Sequence, residues 1–207
     1  MGNVAESIEV LKEWAGRSES HHRFEMTEPA DDAGARLAAP EPMFGEVPEW
    51  SLPPSLKEAL ELFSSATISW GPSIGHEEFV ILAPEEIAEY SEIVYLPDGI
   101  SRGADGPELS TNHLVAFASG GNDECAFCFD VTQKAEDGEY PVYYHHQDEP
   151  RARIRETGEW EDPADATPDF PSFAAWLAWV AEVLDQGGEP VSSYPGAFHQ
   201  MPGRRDE

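Results

Sequence analysis

Cations are scarce in this chain. Its 207 residues carry 12 Lys and Arg against 41 Asp and Glu, a formal net charge of −29. Nucleic-acid binding needs clustered cations to neutralise phosphates, so that class of partner is excluded. The same field repels an anionic membrane surface and attracts basic proteins or cations. Cysteine is nearly absent too, with only Cys125 and Cys128. Two thiols make no disulfide framework, and a reduced, cytoplasmic protein is expected. No stretch approaches the ~20 apolar residues of a membrane span. The start, MGNVAESIEVLKEW, is amphipathic rather than a signal sequence. It also misses the N-myristoylation pattern, because Ser7 lies one place too far along.

Recognisable catalytic patterns are lacking as well. Gly71-Pro72-Ser73-Ile74-Gly75 matches the letters of a nucleophile elbow. That elbow needs a strand before it and a long helix after it, and here His76-Glu77-Glu78-Phe79-Val80 leads into a strand. No phosphate loop is present. Pairs such as Glu77-Glu78 and Glu85-Glu86 arise by chance at this acid density and do not define a glycosidase pair. The expectation is a protein that is not an enzyme and needs no cofactor.

What the chain does contain can build a core, since 40% of it is hydrophobic and 11% aromatic. The charge is −7 over residues 1–50, −16 over 51–150 and −6 over 151–207. The acid is therefore densest where the strands are predicted. Val4, Ile8, Leu11 and Ala15 recur at helical spacing and predict a helix over 4–15. From Arg17 to Glu49 the period is lost, and Pro29, Pro40, Pro42 and Pro48 mark an irregular connector. The compact domain is expected over residues 50–186, after an N-terminal helix and connector over 1–49. A loose C-terminal tail follows over 187–207.

Within that domain Pro53 and Pro54 open a helix whose apolar face is Leu56, Ala59, Leu60 and Phe63. Thr67–Trp70 and Phe79–Leu82 are β-like, and Pro84-Glu85-Glu86-Ile87 starts a short helix. Residues 97–113 form a turn-rich loop. The strongest local signal is LVAFASGGNDECAFCFD, from Leu114 to Asp130. An apolar run stops at Ser119-Gly120-Gly121-Asn122-Asp123, and an alternating run follows, which is the pattern of a hairpin. Tyr140–His146 is the next strand, with Pro141 confined to its start or to an edge. Phe173, Trp176, Leu177, Val180 and Leu184 define a closing helix that Gly187-Gly188 ends. This order predicts an α+β fold, a central antiparallel β-sheet flanked by N-terminal and C-terminal helices.

Three groups invite a chemical reading. Cys125 and Cys128 lie three apart on a strand, so they point to opposite faces and are expected to be packing residues rather than a metal pair. His145 and His146 diverge on a strand, so one is expected inside and one outside. Asp148 or Glu149 could complete a cation site with His146, but metal needs convergent ligands and no metal site is assigned. Arg151, Arg153 and Arg155 alternate, and Glu156, Glu159, Glu161 and Asp162 are expected to compensate them locally.

Four segments in order resemble the SMI1/KNR4 (SUKH) family. They are LPPSLKEALELF with Trp70-Gly71 after it, APEEI, the hairpin LVAFASGGNDECAFCFD, and YPVYYHHQDE followed by FPSFAAWLAWVAEVL. The resemblance implies an α+β fold with a central antiparallel sheet and no enzyme activity. Many bacterial members are immunity proteins that bind and block one toxin, often a nuclease. A basic toxin would suit this charge and be steered to it. On that reading the binding acids are Asp123 and Glu124 at one turn, Glu136 and Asp137 at the next, and Asp148 and Glu149 after the histidines. Trp70 and Tyr143 are equally suited to contact or core. The alternative reading is a regulatory or scaffold interaction module without a toxin partner.

Overall fold

Asn3 caps the first helix by accepting from the Glu6 N–H, which satisfies one of the free donors at a helix start. This helix, α1 (Val4–Ala15), buries Val4, Ile8, Leu11 and Trp14 along one stripe. The computed structural model describes residues 3–17, 21–29, 48–72, 77–96, 100–101, 105–120 and 124–194. In chain order there follow β1 (Arg23–Met26), α2 (Pro54–Leu60), β2 (Ala66–Ser69), β3 (Glu78–Ile81) and α3 (Pro84–Ser91). Then come β4 (Leu109–Ser110), β5 (Leu114–Ser119), β6 (Cys125–Asp130), β7 (Val142–His146) and β8 (Arg153–Ile154). A 3-10 turn at Pro163–Ala166 precedes α4 (Phe173–Asp185). Gly187, at φ +76, takes the left-handed conformation just past its end.

Six strands form one antiparallel sheet in the order β1-β2-β3-β5-β6-β7, and β4 pairs with β8 apart from it. The α+β class with terminal helices around an antiparallel sheet is as the sequence predicts. Phe79, Phe117, Phe127 and Phe129 face α4, where Trp176 touches the first three rings. Trp176 has no solvent exposure, and truncating a buried aromatic of this kind typically costs ~3–5 kcal/mol. The register of β5 against β6 slips between Ala116 and Ala118. This one-residue bulge keeps Phe117 stacked on Phe129, at 4.3 Å between ring centroids, while Ala118 still opposes Phe127.

Two stretches differ from their sequence reading. Arg23–Met26 fell in the irregular connector, yet it is a strand paired along its length with β2. Helix α1 packs on α4, so the N-terminal region shares the domain's core. Val191–Tyr194 fell in the loose tail, yet Tyr194 is buried against Phe127, Tyr144, Phe170 and Trp179. A single large ring recovers enough apolar area to order a short polar stretch. The rest of that tail, residues 195–207, lies outside the described residues.

Candidate functional site

Strand β6 has two different faces. Cys125, Phe127 and Phe129 point toward the helices, and Ala126, Cys128 and Asp130 point away, beside Tyr143 and His145 of β7. All six residues of β6 are buried, so a second layer must cover the far side. Residues 151–170 supply much of it, and buried Tyr95, after α3, stands beside Cys128. Trp160 packs on Tyr143 and His113, and Arg151 and Arg153 lie over the Tyr143 and Trp160 rings.

Charge holds that layer in place. Arg151 reaches both oxygens of Asp169 at 3.0 and 3.1 Å, with both side chains almost fully buried. Asp169 also accepts from the Tyr144 N–H at 2.6 Å, and Val142 exchanges backbone bonds with Phe170. The outer edge of β7 is therefore closed. Arg153 donates to Asp130 at 2.6 Å, and Thr132 and Gln133 donate to the same carboxylate. Arg155 sits 3.5 Å from Glu108. Arg151 also lies 3.5 Å from Asp165. The fold thus brings carboxylates from β6, from beside β4 and from the 165–170 segment to these arginines, beyond the acids that follow them in sequence.

Burial sets the titration of the groups between the layers. His145 is buried with neither ring nitrogen hydrogen-bonded. Desolvation, then the nearby His113, Arg151 and His146, lower its pKa to about 3. Desolvation and Arg153 lower that of His113 to about 3 as well. Burial pushes the Cys128 thiol well above its ordinary range. The two cysteines are free, buried, and on opposite faces, which is the packing role expected of them. Tyr143 and Trp70 are both buried.

The acids proposed for binding divide into two groups. Glu124, just before β6, and Asp148 and Glu149, just after β7, are exposed at one end of the hairpin. Gln147 donates to the Glu124 carbonyl and ties the two segments together. Glu136 and Asp137 lie in the β6–β7 turn at the other end, one strand length or roughly 17–20 Å away. The fold does not join them to the first group. Asp137 accepts from the Glu139 N–H and shapes its own turn. Neighbouring Glu139 accepts from the Ser55 N–H and hydroxyl, so it caps α2, whose own N-cap, Pro53, offers no side-chain acceptor. Asp123 lies outside the described residues, as do Gly121 and Asn122 of its turn and Ser73-Ile74-Gly75 of the elbow-like loop. Gly120 is described. A Cβ there would stand 2.7 Å from both Cys125 Cβ and the Tyr144 ring, so crowding excludes any side chain.

At the first end, ligand atoms of Glu124, His146 and Asp148 all lie within 4.8 Å of one another. His146 Nε2 is 3.8 Å from a Glu124 oxygen, and Nδ1 accepts from the Asp148 N–H at 3.1 Å. Glu149 is not part of this group. With Nδ1 used as an acceptor, the neutral ring carries its proton on Nε2, the atom that faces Glu124. A metal at Nε2 would force that proton onto Nδ1, against the Asp148 N–H. The arrangement suits donors reaching in from outside better than a coordinated ion. Sequence reasoning missed His113, Asp130, Arg151 and Asp169 as a unit. The available signal was Asp130 itself, an acid sharing a strand face with Ala126 and Cys128.

Residues 47–179 match the family model described as SMI1 / KNR4 family (SUKH-1). The match runs from just before α2 into α4 and leaves α1 and β1 outside it. No curated protein matches the chain.

Proposed function

The chain belongs to the SMI1/KNR4 family (SUKH-1), and from that premise we propose that it acts by binding rather than catalysis, as an immunity protein that occupies and neutralises a basic toxin. The family includes immunity proteins, and the observation that carries the reading here is electrostatic. A net charge of −29 surrounds a fold that draws Arg151 and Arg153 inward onto Asp169 and Asp130. What remains exposed at the end of the hairpin where β6 starts includes Glu124, Asp148 and Glu149. Such a surface steers a cationic partner and orients it on arrival. A nuclease-type toxin, whose substrate groove must itself attract phosphates, has the matching surface.

The test is affinity capture from the native host, followed by titration of the partner recovered. The expected partner is basic, and its affinity falls roughly tenfold between ~50 and ~500 mM NaCl as screening shortens the field. E124Q/D148N/E149Q weakens binding, chiefly through the on-rate, while E136Q/D137N at the far end has the smaller effect. An acidic partner, or an affinity indifferent to both salt and the triple variant, would refute the proposal.

A further inference from the structure

The two ends of the six-stranded sheet are treated very differently. The β7 edge is covered by Asp169 and Phe170. Among the described residues nothing covers the outer edge of β1: Arg23 and Glu25 are exposed, Phe24 is half-buried and Met26 is 37% exposed. Among the described residues only β2 pairs with it.

The outward-facing groups can be read from the register. Thr27 donates to the Ser65 carbonyl, so Thr27 and Ser65 form a hydrogen-bonded pair. Bonded and non-bonded pairs alternate along an antiparallel ladder. Glu25 with Thr67 and Arg23 with Ser69 are then the bonded pairs in this register. The β2–β3 ladder agrees, because Trp70 donates to Glu77, which turns Ile68 and Ala66 toward β3 and Thr67 and Ser69 toward β1. The N–H and C=O of Phe24 and Met26 therefore point away from the sheet.

We propose that this edge is a self-association surface, on which a second copy of the chain pairs its own β1 antiparallel about a twofold axis at Phe24. The sequence is self-complementary in that register. Phe24 meets the Phe24 of the second copy as a hydrogen-bonded pair. Arg23 meets Glu25, and Glu25 meets Arg23, as the closely spaced pairs where opposite charges attract best. Met26 meets His22. The stretch 21–27 carries one cation and one anion, so it is a neutral patch on an otherwise acidic molecule. Met26 and Leu62 are two of the three large hydrophobic residues exposed among those described. Both lie near this edge, since Thr27 is bonded to Ser64 and Ser65, which follow Leu62.

A four-residue ladder falls short of the ~1,200–2,000 Å² of a stable interface, so the association is weak and concentration-dependent. Salt strengthens it by screening repulsion between two bodies of charge −29, the opposite of its effect on a basic partner.

Sedimentation equilibrium of the full chain, from roughly 5 to 500 µM in about 0.5 M NaCl, tests the proposal in the range of weak complexes. The average mass is expected to rise with concentration from 22.8 kDa toward twice that value. E25R sets arginines against each other across the axis and weakens association about tenfold, and R23E/E25R exchanges the charges and restores it. M26P removes an outward N–H that no described residue accepts, and it abolishes association with thermal melting unchanged. Should M26P also lower the melting temperature, the two charge variants decide alone. Monomer mass at every concentration, or association indifferent to E25R, overturns the proposal.

Discussion

Replacing Arg151 by methionine is expected to destabilise the fold by ~3–5 kcal/mol, since it strands the Asp169 carboxylate without its partner in a buried site. The structure makes this pair a sharp case. Both side chains are nearly solvent-free and meet through two parallel bonds, so solvent cannot replace a missing partner. D169N should cost somewhat less, about 2–4 kcal/mol, because the amide oxygen can still accept from Tyr144. The informative variant is the double one. With both charges gone, neither of their desolvation penalties remains, and R151M/D169N should lie within about 2 kcal/mol of the parent even though Asp165 also loses Arg151. Urea unfolding of the four proteins gives the cycle directly, provided the slopes agree. Single costs that simply add, with a coupling below about 0.5 kcal/mol, would mean that the pair is not dry and does not hold the second layer.

Two further outcomes follow from the same packing. His113 and His145 have pKa values lowered to about 3, so between that value and the unfolded value near 6.5 the unfolded chain binds the extra protons. Stability is therefore undiminished above pH 6.5 and falls as pH drops below it, by roughly 2–3 kcal/mol per imidazole at pH 4.5. Denaturation series at several pH values should show this, and H145L should flatten the acid limb. At the other end of the hairpin, E139A should cost about 1 kcal/mol by uncapping α2, readable as a lowered urea midpoint with an unchanged slope.

The β5–β6 hairpin was legible because an apolar run and an alternating run on either side of a Gly-rich turn have one reading. Helix α4 was legible through the helical spacing of Phe173, Trp176, Leu177 and Val180. Strand β1 was not, because an edge strand has one partner and one half-covered face, and Arg-Phe-Glu-Met shows too little pattern over four residues. The separation of the acids proposed for binding was within reach. Glu124 and Glu136 are divided by one strand, and a strand cannot bring its two ends together. The arginine partners were out of reach. Asp169 and Asp130 are chosen by which loop crosses which strand, and nothing in the spacing of Arg151 and Arg153 specifies that. Asp130 shows the limit well, since its position on an inward face was readable but its counter-ion was not.

Strand β6 carries one thiol on each face, Cys125 toward the helices and Cys128 toward the arginine layer, both without solvent exposure. A reagent in solution can meet the first only after the α4 side has lifted and the second only after the opposite side, where Tyr95 and Arg151 stand beside it, has lifted. Local fraying of either layer exposes one sulfur and spares the other. The order in which the two thiols become reactive therefore records which layer of the molecule opens first, and their simultaneous appearance is the mark of a fold that opens all at once.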